Sequence, residues 1–340
     1  LRLALASSAC TRARLLCETF HMADHLVPTV DISAPTDSML SELDQACIDH
    51  GFFLLSGHGL DDLIEQTWAI TEQFFAGDRA SKLAVMRDAD NPLGYFDREL
   101  TKRKRNSKEV FDFTDPADPR TDQHNRWPAD SDTFHGTLVE FYDACSDLAV
   151  RANELVHHAL AFATASDIDA TASLGSRTTS SVRLNHYPVG DPVPEGERAG
   201  LHDLGETALG HHTDPGVLTL LLQDMTGGLQ AQAVDGSWVD IEPTPGTIVV
   251  NLADAMQVWT NDRYRAAVHR VVPMTSSDRY SIPYFFNPPR DAVVEPISGL
   301  AGDAKYAGFR WRDYMRARTD DNFADAGAED AQITDYLLTP

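Results

Sequence analysis

The sequence predicts a mainly β protein with flanking α-helices, in which a jelly-roll core is preceded by a helical amino-terminal region. Three observations carry this. After Ser180 the apolar spacing changes from helical to extended, seven or so short β-rich runs follow, and turn signals such as Asp235-Gly236 and Pro245-Gly246 separate them. A chain of 340 residues, 42% of them apolar, is long enough to bury a substantial core.

The first 21 residues, LRLALASSACTRARLLCETFH, contain arginine and many small residues but almost no acid, unlike everything after them. Targeting peptides share this composition. The expectation adopted is that residues 1–21 are a non-native or upstream extension and that the natural chain starts at Met22. VPTVDIS, from Val27, then reads as a short strand leading through Pro35 into a helix with Leu40, Leu43 and Cys47 at helical spacing, which stops at Gly51. FFLLSGHG reads as a buried strand ending in a glycine turn, and a second helix is expected from about Asp61 to Phe75. Between Asp88 and Pro128 the pattern breaks into charge and aromatics, including the basic run Lys102-Arg103-Lys104-Arg105, read as a solvated or substrate-facing loop. Leu138, Phe141, Leu148, Leu155 and Leu160 predict a long helix over Asp132 to Thr164.

The extended runs are SVRLNHY, VLTLLLQ, LQAQAV, SWVDI, TIVVNL, HRVVPM and RYSIPYFF. Helix returns at Phe309 to Arg318, and an acidic tail follows. The expected organisation is an amino-terminal region over 22–165, a jelly-roll core over 166–310 and a carboxy-terminal helix and tail over 311–340, forming one catalytic unit. The Pro/Gly-rich segment from Val189 to Gly210 reads equally as a lid or as an ordinary surface loop.

Bulk charge limits the partners. With 28 Lys+Arg against 52 Asp+Glu, the formal charge is −24, which repels phosphate backbones and anionic bilayers. No nucleic acid or membrane partner is expected, and a small-molecule substrate fits better. No apolar run approaches the ~20 residues of a membrane-spanning helix. Cys10, Cys17, Cys47 and Cys145 form no CxxC pair, so a reducing, cytoplasmic setting is expected, with the chain a monomer or weak homo-oligomer.

Chemistry concentrates in the second half. A scan of all thirteen histidines finds one His-x-Asp/Glu triplet, His212-Thr213-Asp214, so its context matters more than its existence. The triplet precedes the apolar run VLTLLLQ. If it opens that strand, His212 and Asp214 point to one side while His211 and Thr213 face away. A 2-His-1-carboxylate facial triad needs a third ligand from a distant strand, and His269, at the start of HRVVP, is the candidate. Ten residues on, Arg279 and Ser281 share a strand face by the same alternation. A buried guanidinium needs an anion, and a carboxylate meets it best through a bidentate pair.

These residues together resemble the iron(II)/2-oxoglutarate-dependent oxygenases of the isopenicillin N synthase-like family. The shared marks are HTD at His212 to Asp214, GGLQ at Gly227 to Gln230, NLAD at Asn251 to Asp254, WTN at Trp259 to Asn261, HRV at His269 to Val271 and RYS at Arg279 to Ser281. LNHYP at Leu184 to Pro188 is similar to that family's Asn-Tyr-Tyr-Pro segment, with His186 in the middle place. VPTVDIS, GFFLLSGHG, GYFDRELTKRKRNSKEVFDF and WRDYMRARTDDNFAD match further landmarks, so the resemblance runs from about Val27 to Tyr336.

The resemblance implies a double-stranded β-helix core, iron(II) on His212, Asp214 and His269, and 2-oxoglutarate held at its far carboxylate by Arg279 and Ser281. Tyr187 would add a hydroxyl, and Asn185 would steady the metal-bound end. Phe285, Phe111 and Arg98 are the expected substrate contacts, from a pocket drawing also on Phe96 and Phe113. The implied reaction uses O2, is supported by ascorbate in vitro, and couples decarboxylation of 2-oxoglutarate to succinate and CO2 with oxidation, most often hydroxylation, of a small molecule. Three alternatives stand beside it: a 2-oxoglutarate-independent oxidase like the family's founder, a catalytically inactive jelly-roll binding module, and a zinc hydrolase, for which the Arg-x-Ser anchor has no task.

Overall fold

A two-residue period along the strands sorts side chains into two cores. In β2 (Phe52–Ser56), Phe53 and Leu55 enter a large core beneath the helices, whereas Phe52 and Leu54 enter a smaller one on the other face. The same split recurs in β9 (Leu218–Gln223), where Leu218, Leu220 and Leu222 oppose Leu221. In β12 (Ile248–Leu252), Ile248, Val250 and Leu252 oppose Val249. Strands buried on both faces need near-continuous apolar runs, which is why FFLLS and LTLLLQ read as they do.

The computed structural model describes residues 27–101, 103–129, 131–165, 175–300, 302–319 and 331–338. The expected extension over 1–21 and start at Met22, Lys102 of the basic run, residues 166–174 at the expected core boundary and most of the acidic tail lie outside the described residues.

The larger sheet has eight strands in the order β1 (Thr29–Asp31), β2, β12, β9, β14 (Arg279–Asn287), β7 (Ser176–Tyr187), β6 (Glu109–Thr114) and β3 (Gly94–Phe96). The smaller has four: β11 (Trp238–Asp240), β10 (Leu229–Gln232), β13 (His269–Val271) and β8 (Leu209–His212). Strands β2, β12, β9 and β7 share the smaller core with the four-stranded sheet, and β14 lies between β9 and β7, which makes the jelly roll. Hairpin β4 (Leu100–Thr101) to β5 (Lys104–Arg105) and the pair β15 (Val293–Val294) and β16 (Phe309–Arg310) lie outside both sheets.

The helices are α1 (Asp37–Asp49), α2 (Asp61–Ala76), α3 (Arg79–Ala84), α4 (Pro119–Asp122), α5 (Asp132–Thr164), α6 (Asp254–Trp259) and α7 (Trp311–Thr319). Thr36 caps α1, its Oγ1 accepting from the Met39 N–H at 3.2 Å. All five apolar positions that predicted α5 are buried, and α5 packs against α1 and α2 over the outer face of the large sheet. Polar links fix its register there: Tyr142 OH donates to the Ser180 carbonyl at 2.9 Å, and the Ser146 and Tyr284 hydroxyls meet at 2.8 Å.

Several elements were not anticipated. Strands β3 to β6 and helix α4 lie in the stretch expected to have a broken pattern, α3 and β15 lie where no element was expected, and Phe309–Arg310, expected to be helical, form β16. Strand β8 hides in LGHH, where glycine and consecutive histidines read as loop, and α6 follows NLAD without a periodic signal. Strands β1, β2, β3 and β6 extend the jelly roll's own sheet, so the amino-terminal region shares a sheet with the core. No described helix is long and apolar enough to cross a membrane.

Candidate metal centre

The chain leaves the small sheet at the end of β8 and enters the large one at β9, and the crossing places the metal-binding residues. His212 is the last residue of β8 and pairs directly with His269, the first of β13; their ring centroids lie 4.4 Å apart. Asp214 sits in the crossing loop. The expectation that the triplet opens the following strand is therefore corrected: β8 ends at His212 and β9 starts at Leu218. Convergence comes from the large sheet instead. Asp214 Oδ2 accepts from Thr219 Oγ1 at 2.6 Å and from Asn251 Nδ2 at 2.9 Å, while its carbonyl accepts from the Asp254 N–H at 2.9 Å. That leaves Oδ1 at 3.6 Å from His212 Nε2 and 3.8 Å from His269 Nε2. His211 is exposed, with its ring 6.3 Å from that of Trp238.

The donor set fits a divalent transition metal. His212 Nδ1 lies 2.8 Å from the Gly210 carbonyl and His269 Nδ1 3.1 Å from that of Ala267. A carbonyl can only accept, so each Nδ1 carries the proton and each Nε2 keeps its lone pair. Two donors about 2.1 Å from one ion lie at most ~4.2 Å apart, and both distances to Asp214 Oδ1 are shorter. Burial, then the neighbouring His269, hold the His212 imidazole below its ordinary pKa, with a smaller contribution from the Lys108 ammonium. Burial pushes the Asp214 carboxyl up, but His269, His212 and the Thr219 and Asn251 hydrogen bonds outweigh it and keep its pKa low. Neutral imidazoles and an ionised carboxylate are the ligand forms.

Beside the triad opens a cavity of about 240 Å³. Arg279 lies opposite Tyr187 across β14 and β7, and Ser281 opposite Asn185; all four line the cavity, as does Phe285. Arg279 is 1% exposed; its Nε donates to the Gly227 carbonyl at 2.7 Å, its guanidinium carbon lies 5.0 Å from the Tyr187 ring centre, and its Nη1 has no partner. A buried charged donor without an acceptor is costly, and an entering carboxylate supplies one. The GGLQ turn makes room: Gly228 has φ +86°, and a Cβ there would come within 2.9 Å of Met274 Cε and 4.0 Å of Arg279 Cδ.

Of the expected substrate contacts, Phe111 and Arg98 are corrected. The alternation of β6 turns Phe111 and Phe113 towards the helices, where Phe111 packs on Phe74, Trp127 and Phe134. Arg98 instead pairs with Glu197, at 3.1 Å, and Phe96 also lies outside the cavity lining. The 88–128 region does reach the cavity, but through Glu99, Leu100, Thr101, Lys108 and Asp112. Arg183 Nε and Nη2 bond Asp112 at 2.6 and 3.0 Å, and its Nη1 bonds Glu99 at 3.0 Å. Lys108 Nζ lies 2.8 Å from Glu99 Oε2 and 3.4 Å from Asn185 Oδ1, and Arg87 backs Glu99 at 3.5 Å and Asp112 at 3.7 Å. Burial pushes the Glu99 carboxyl up, yet Arg183, Lys108 and Arg87 overcome this and hold its pKa far below the usual range.

Sequence reasoning missed Thr219, Asn251, Lys108 and Arg318. Asn251 and Thr219 are polar residues inside the apolar runs IVVNL and LTLLLQ, a detectable signal. Lys108 and Asp112 are in opposite phase to Phe111 and Phe113, detectable once β6 is a strand. Arg318 of α7 donates from Nη2 to the Thr213 carbonyl at 2.7 Å, and nothing local in YMRAR announces that.

Segment 188–208 is fastened to the amino-terminal region. Arg105, from the basic run, bonds Asp191 at 2.7 Å and the His202 carbonyl at 2.7 Å; Arg79 bonds Glu197 at 2.7 Å.

Comparison with known proteins gives a consistent result. Residues 178–288 match the model of the 2OG-Fe(II) oxygenase superfamily, and residues 27–130 match that of the "non-haem dioxygenase in morphine synthesis N-terminal" region. The chain is 30% identical over 311 residues to gibberellin 3-beta-dioxygenase 4 of Arabidopsis thaliana, covering 88% of this chain and 84% of that protein. It is 30% identical over 299 residues to a homoarginine-6-hydroxylase of Oryza sativa subsp. japonica, covering 83% and 88%. Among solved structures, a full-length Neurospora crassa protein in complex with alpha-KG and 5-formyluracil superimposes with a TM-score of 0.71 at 28% identity, covering 86% of this chain and 95% of that one.

Proposed function

Since the chain belongs to the 2-oxoglutarate/iron(II) oxygenase superfamily, in its isopenicillin N synthase-like branch, and is a 2-oxoglutarate-dependent dioxygenase, we propose that His212, Asp214 and His269 hold its iron and that Arg279, Ser281, Tyr187 and Asn185 hold its 2-oxoglutarate. The reaction we infer is hydroxylation of a small-molecule substrate seated against Phe285. Bound iron(II), with 2-oxoglutarate and O2, supplies the oxidising power, releasing succinate and CO2. The protein binds, orients and excludes water.

Each residue has a task in this reading. The Gly210 and Ala267 carbonyls fix the tautomers of His212 and His269. Thr219 and Asn251 occupy Asp214 Oδ2, so only Oδ1 is offered to the metal. Arg279 presents its unpartnered Nη1 to the far carboxylate, and Ser281, on the same strand face, adds a hydroxyl. We further infer a cytoplasmic monomer or weak homo-oligomer, supported by the buried free thiols of Cys47 and Cys145 and testable by fractionation and sedimentation.

The observation that carries the reading is the buried His212, Asp214 and His269 set beside an unsatisfied, fully buried Arg279. The test is anaerobic iron(II) binding with oxygen uptake and succinate formation from 2-oxoglutarate in the presence of ascorbate. Wild type should bind one iron per chain and decarboxylate 2-oxoglutarate slowly without substrate. His212→Ala and Asp214→Ala should lose both properties, and His211→Ala should keep them. Iron retained by the 212 variant and lost by the 211 variant would overturn the assignment.

A further inference from the structure

His186 stands in the middle place of LNHYP, where the family's segment has tyrosine, and it is not part of the cavity wall. The two-residue period of β7 turns Asn185 and Tyr187 into the cavity and His186 to the opposite face. There the buried imidazole lies flat on Tyr280, with ring centres 4.6 Å apart and planes 13° apart, and the Phe75 ring of α2 is 5.5 Å away. Both ring nitrogens meet carboxylates: Nδ1 is 2.7 Å from Glu109 Oε1 of β6, and Nε2 is 3.1 Å from Oδ2 of Asp278, the residue before β14.

A carboxylate can only accept, and a neutral imidazole has one N–H and one lone pair. A neutral ring would therefore set its lone pair against one of the two carboxylates. Both of these are ionised. Glu109 also receives the Lys82 ammonium of α3 at 2.9 Å and the Tyr95 hydroxyl of β3, while Asp278 Oδ1 accepts from the Val189 N–H at 2.9 Å. Burial pushes both carboxyls up, but the His186 and Lys82 contacts hold Glu109 low, and the Val189 and His186 contacts hold Asp278 low. Lys82, the other cation here, is committed to Glu109 and to the Phe75 carbonyl, and the acidic Glu72 and Asp224 lie near enough to act on Tyr280. The surroundings of the ring thus favour a cation, and the Tyr280 face adds to this.

The bridge sits at the end of the co-substrate site. Tyr187 and Arg279 are register partners across β7 and β14, and Asp278, by meeting both His186 and the Val189 N–H, joins the same two strands just past that pair. Resting on the assignment of 2-oxoglutarate to Arg279 and Tyr187 above, we propose that His186 is a positioning residue for the co-substrate, working as an imidazolium that ties β6 to Asp278 and so holds the strand ends that carry those two anchors. Loss of the Nε2 proton, whose partner is the exposed Asp278, breaks the tie. The contribution is present at low pH, where the ring keeps both protons, and is lost as pH rises. Co-substrate affinity therefore falls with rising pH, although neither His186 nor Asp278 lines the cavity.

The test compares wild type, Asp278→Asn and His186→Phe as full chains. In Asp278→Asn the amide Nδ2 can donate to a neutral Nε2 while Oδ1 still accepts from Val189, so the link no longer needs the second proton. Protein loaded with manganese(II) is titrated calorimetrically with 2-oxoglutarate between about pH 6 and about pH 9, a range over which imidazoles lose a proton. Wild-type affinity, taken relative to Asp278→Asn at each pH, should fall about three- to tenfold as pH rises, part of the factor that one charge-assisted hydrogen bond supplies. His186→Phe should bind as weakly as high-pH wild type throughout. Cleavage within segment 188–208, measured without metal or co-substrate and again relative to Asp278→Asn, should accelerate over the same range. An equal pH dependence in wild type and Asp278→Asn would overturn the proposal, because another group would then be titrating. So would a pH step in cleavage with none in affinity, since His186 would then hold the segment and not the co-substrate. Absent 2-oxoglutarate binding at every pH, with the cleavage step intact, would sink only the assignment on which the proposal rests.

Discussion

Replacing Arg279 by glutamine removes a charge at the point where the structure leaves a buried donor unmatched. The side chain is 1% exposed and its Nη1 has no partner, while Nε is committed to the Gly227 carbonyl at 2.7 Å. A charge-assisted pair to a carboxylate contributes about 1.5–3 kcal/mol, so Arg279→Gln should weaken 2-oxoglutarate binding roughly 10- to 150-fold. With co-substrate at 100 times the wild-type Kd, ligand binding stabilises the folded protein by about 2.7 kcal/mol, and a 30-fold loss of affinity reduces this to about 0.9 kcal/mol. The ligand-free variant should melt close to wild type. It loses the hydrogen bond to Gly227 but also an unsatisfied buried donor, opposing effects of roughly 1–3 kcal/mol each. Iron affinity should be unchanged, since Arg279 is not among the metal donors. The assay is anaerobic titration calorimetry with 2-oxoglutarate, paired with thermal melts with and without it. An unaltered co-substrate constant, or a parallel loss of iron, would refute the reasoning.

Three further changes probe the surroundings. Thr219→Val keeps shape but removes the 2.6 Å donor to Asp214 Oδ2; iron affinity should fall about 10- to 100-fold, measured by chelator competition, and an unchanged affinity would mean Asn251 alone suffices. Glu99→Gln leaves Arg87, Lys108 and Arg183 under-compensated and should destabilise by about 3–5 kcal/mol at neutral pH. Because the Glu99 pKa is lowered by folding, its contribution is present above the ordinary value of 4.5 and declines as pH falls below it. The gap between variant and wild type in denaturant melts should therefore narrow on acidification, and a pH-independent gap would exclude the ionic account. His186→Phe restores the aromatic of the family's Asn-Tyr-Tyr-Pro segment but removes the bridge from Glu109, at 2.7 Å, to Asp278, at 3.1 Å, whose other oxygen accepts from the Val189 N–H. Proteolysis within 188–208 should accelerate, and an unchanged cleavage rate would show that Arg105 and Arg79 hold the segment without it.

Legibility in the sequence followed the range of the forces involved. Helix α5 was readable from end to end because one periodic apolar stripe specifies it. The face shared by Arg279 and Ser281 was readable because β14 is a regular strand. The pairing of His212 with Asp214 was anticipated through a wrong local geometry: the triplet lies on no single strand, and the residues that turn Asp214 inward, Thr219 and Asn251, act across sheet register. Aromatics were expected at the substrate wall because apolar residues line most pockets. The actual wall is a neutralising lattice of Glu99, Lys108, Asp112 and Arg183, each charge tolerable only beside the others, and such reciprocity has no signature in linear order.

The crossing loop from Thr213 to Val217 shows why the site depends on the whole chain. The Thr213 carbonyl is held by Arg318 of α7, that of Asp214 by the Asp254 N–H at 2.9 Å and that of Val217 by the Ala253 N–H at 3.1 Å. Burial pushes the Asp254 carboxyl up, and Arg318 and the Tyr314 hydroxyl, at 2.6 Å, work against that shift. Tyr314 and Arg318 both belong to α7, so the carboxy-terminal helix grips the metal-ligand loop at its first carbonyl and at the residue that holds its second. A loop fastened at successive carbonyls cannot swing Asp214 away without breaking bonds in two distant elements. The three donors are thus held from several elements at once, the imidazoles by the Gly210 and Ala267 carbonyls and the Asp214 carboxylate by Thr219 and Asn251, which is the orienting support that ligand preorganisation requires.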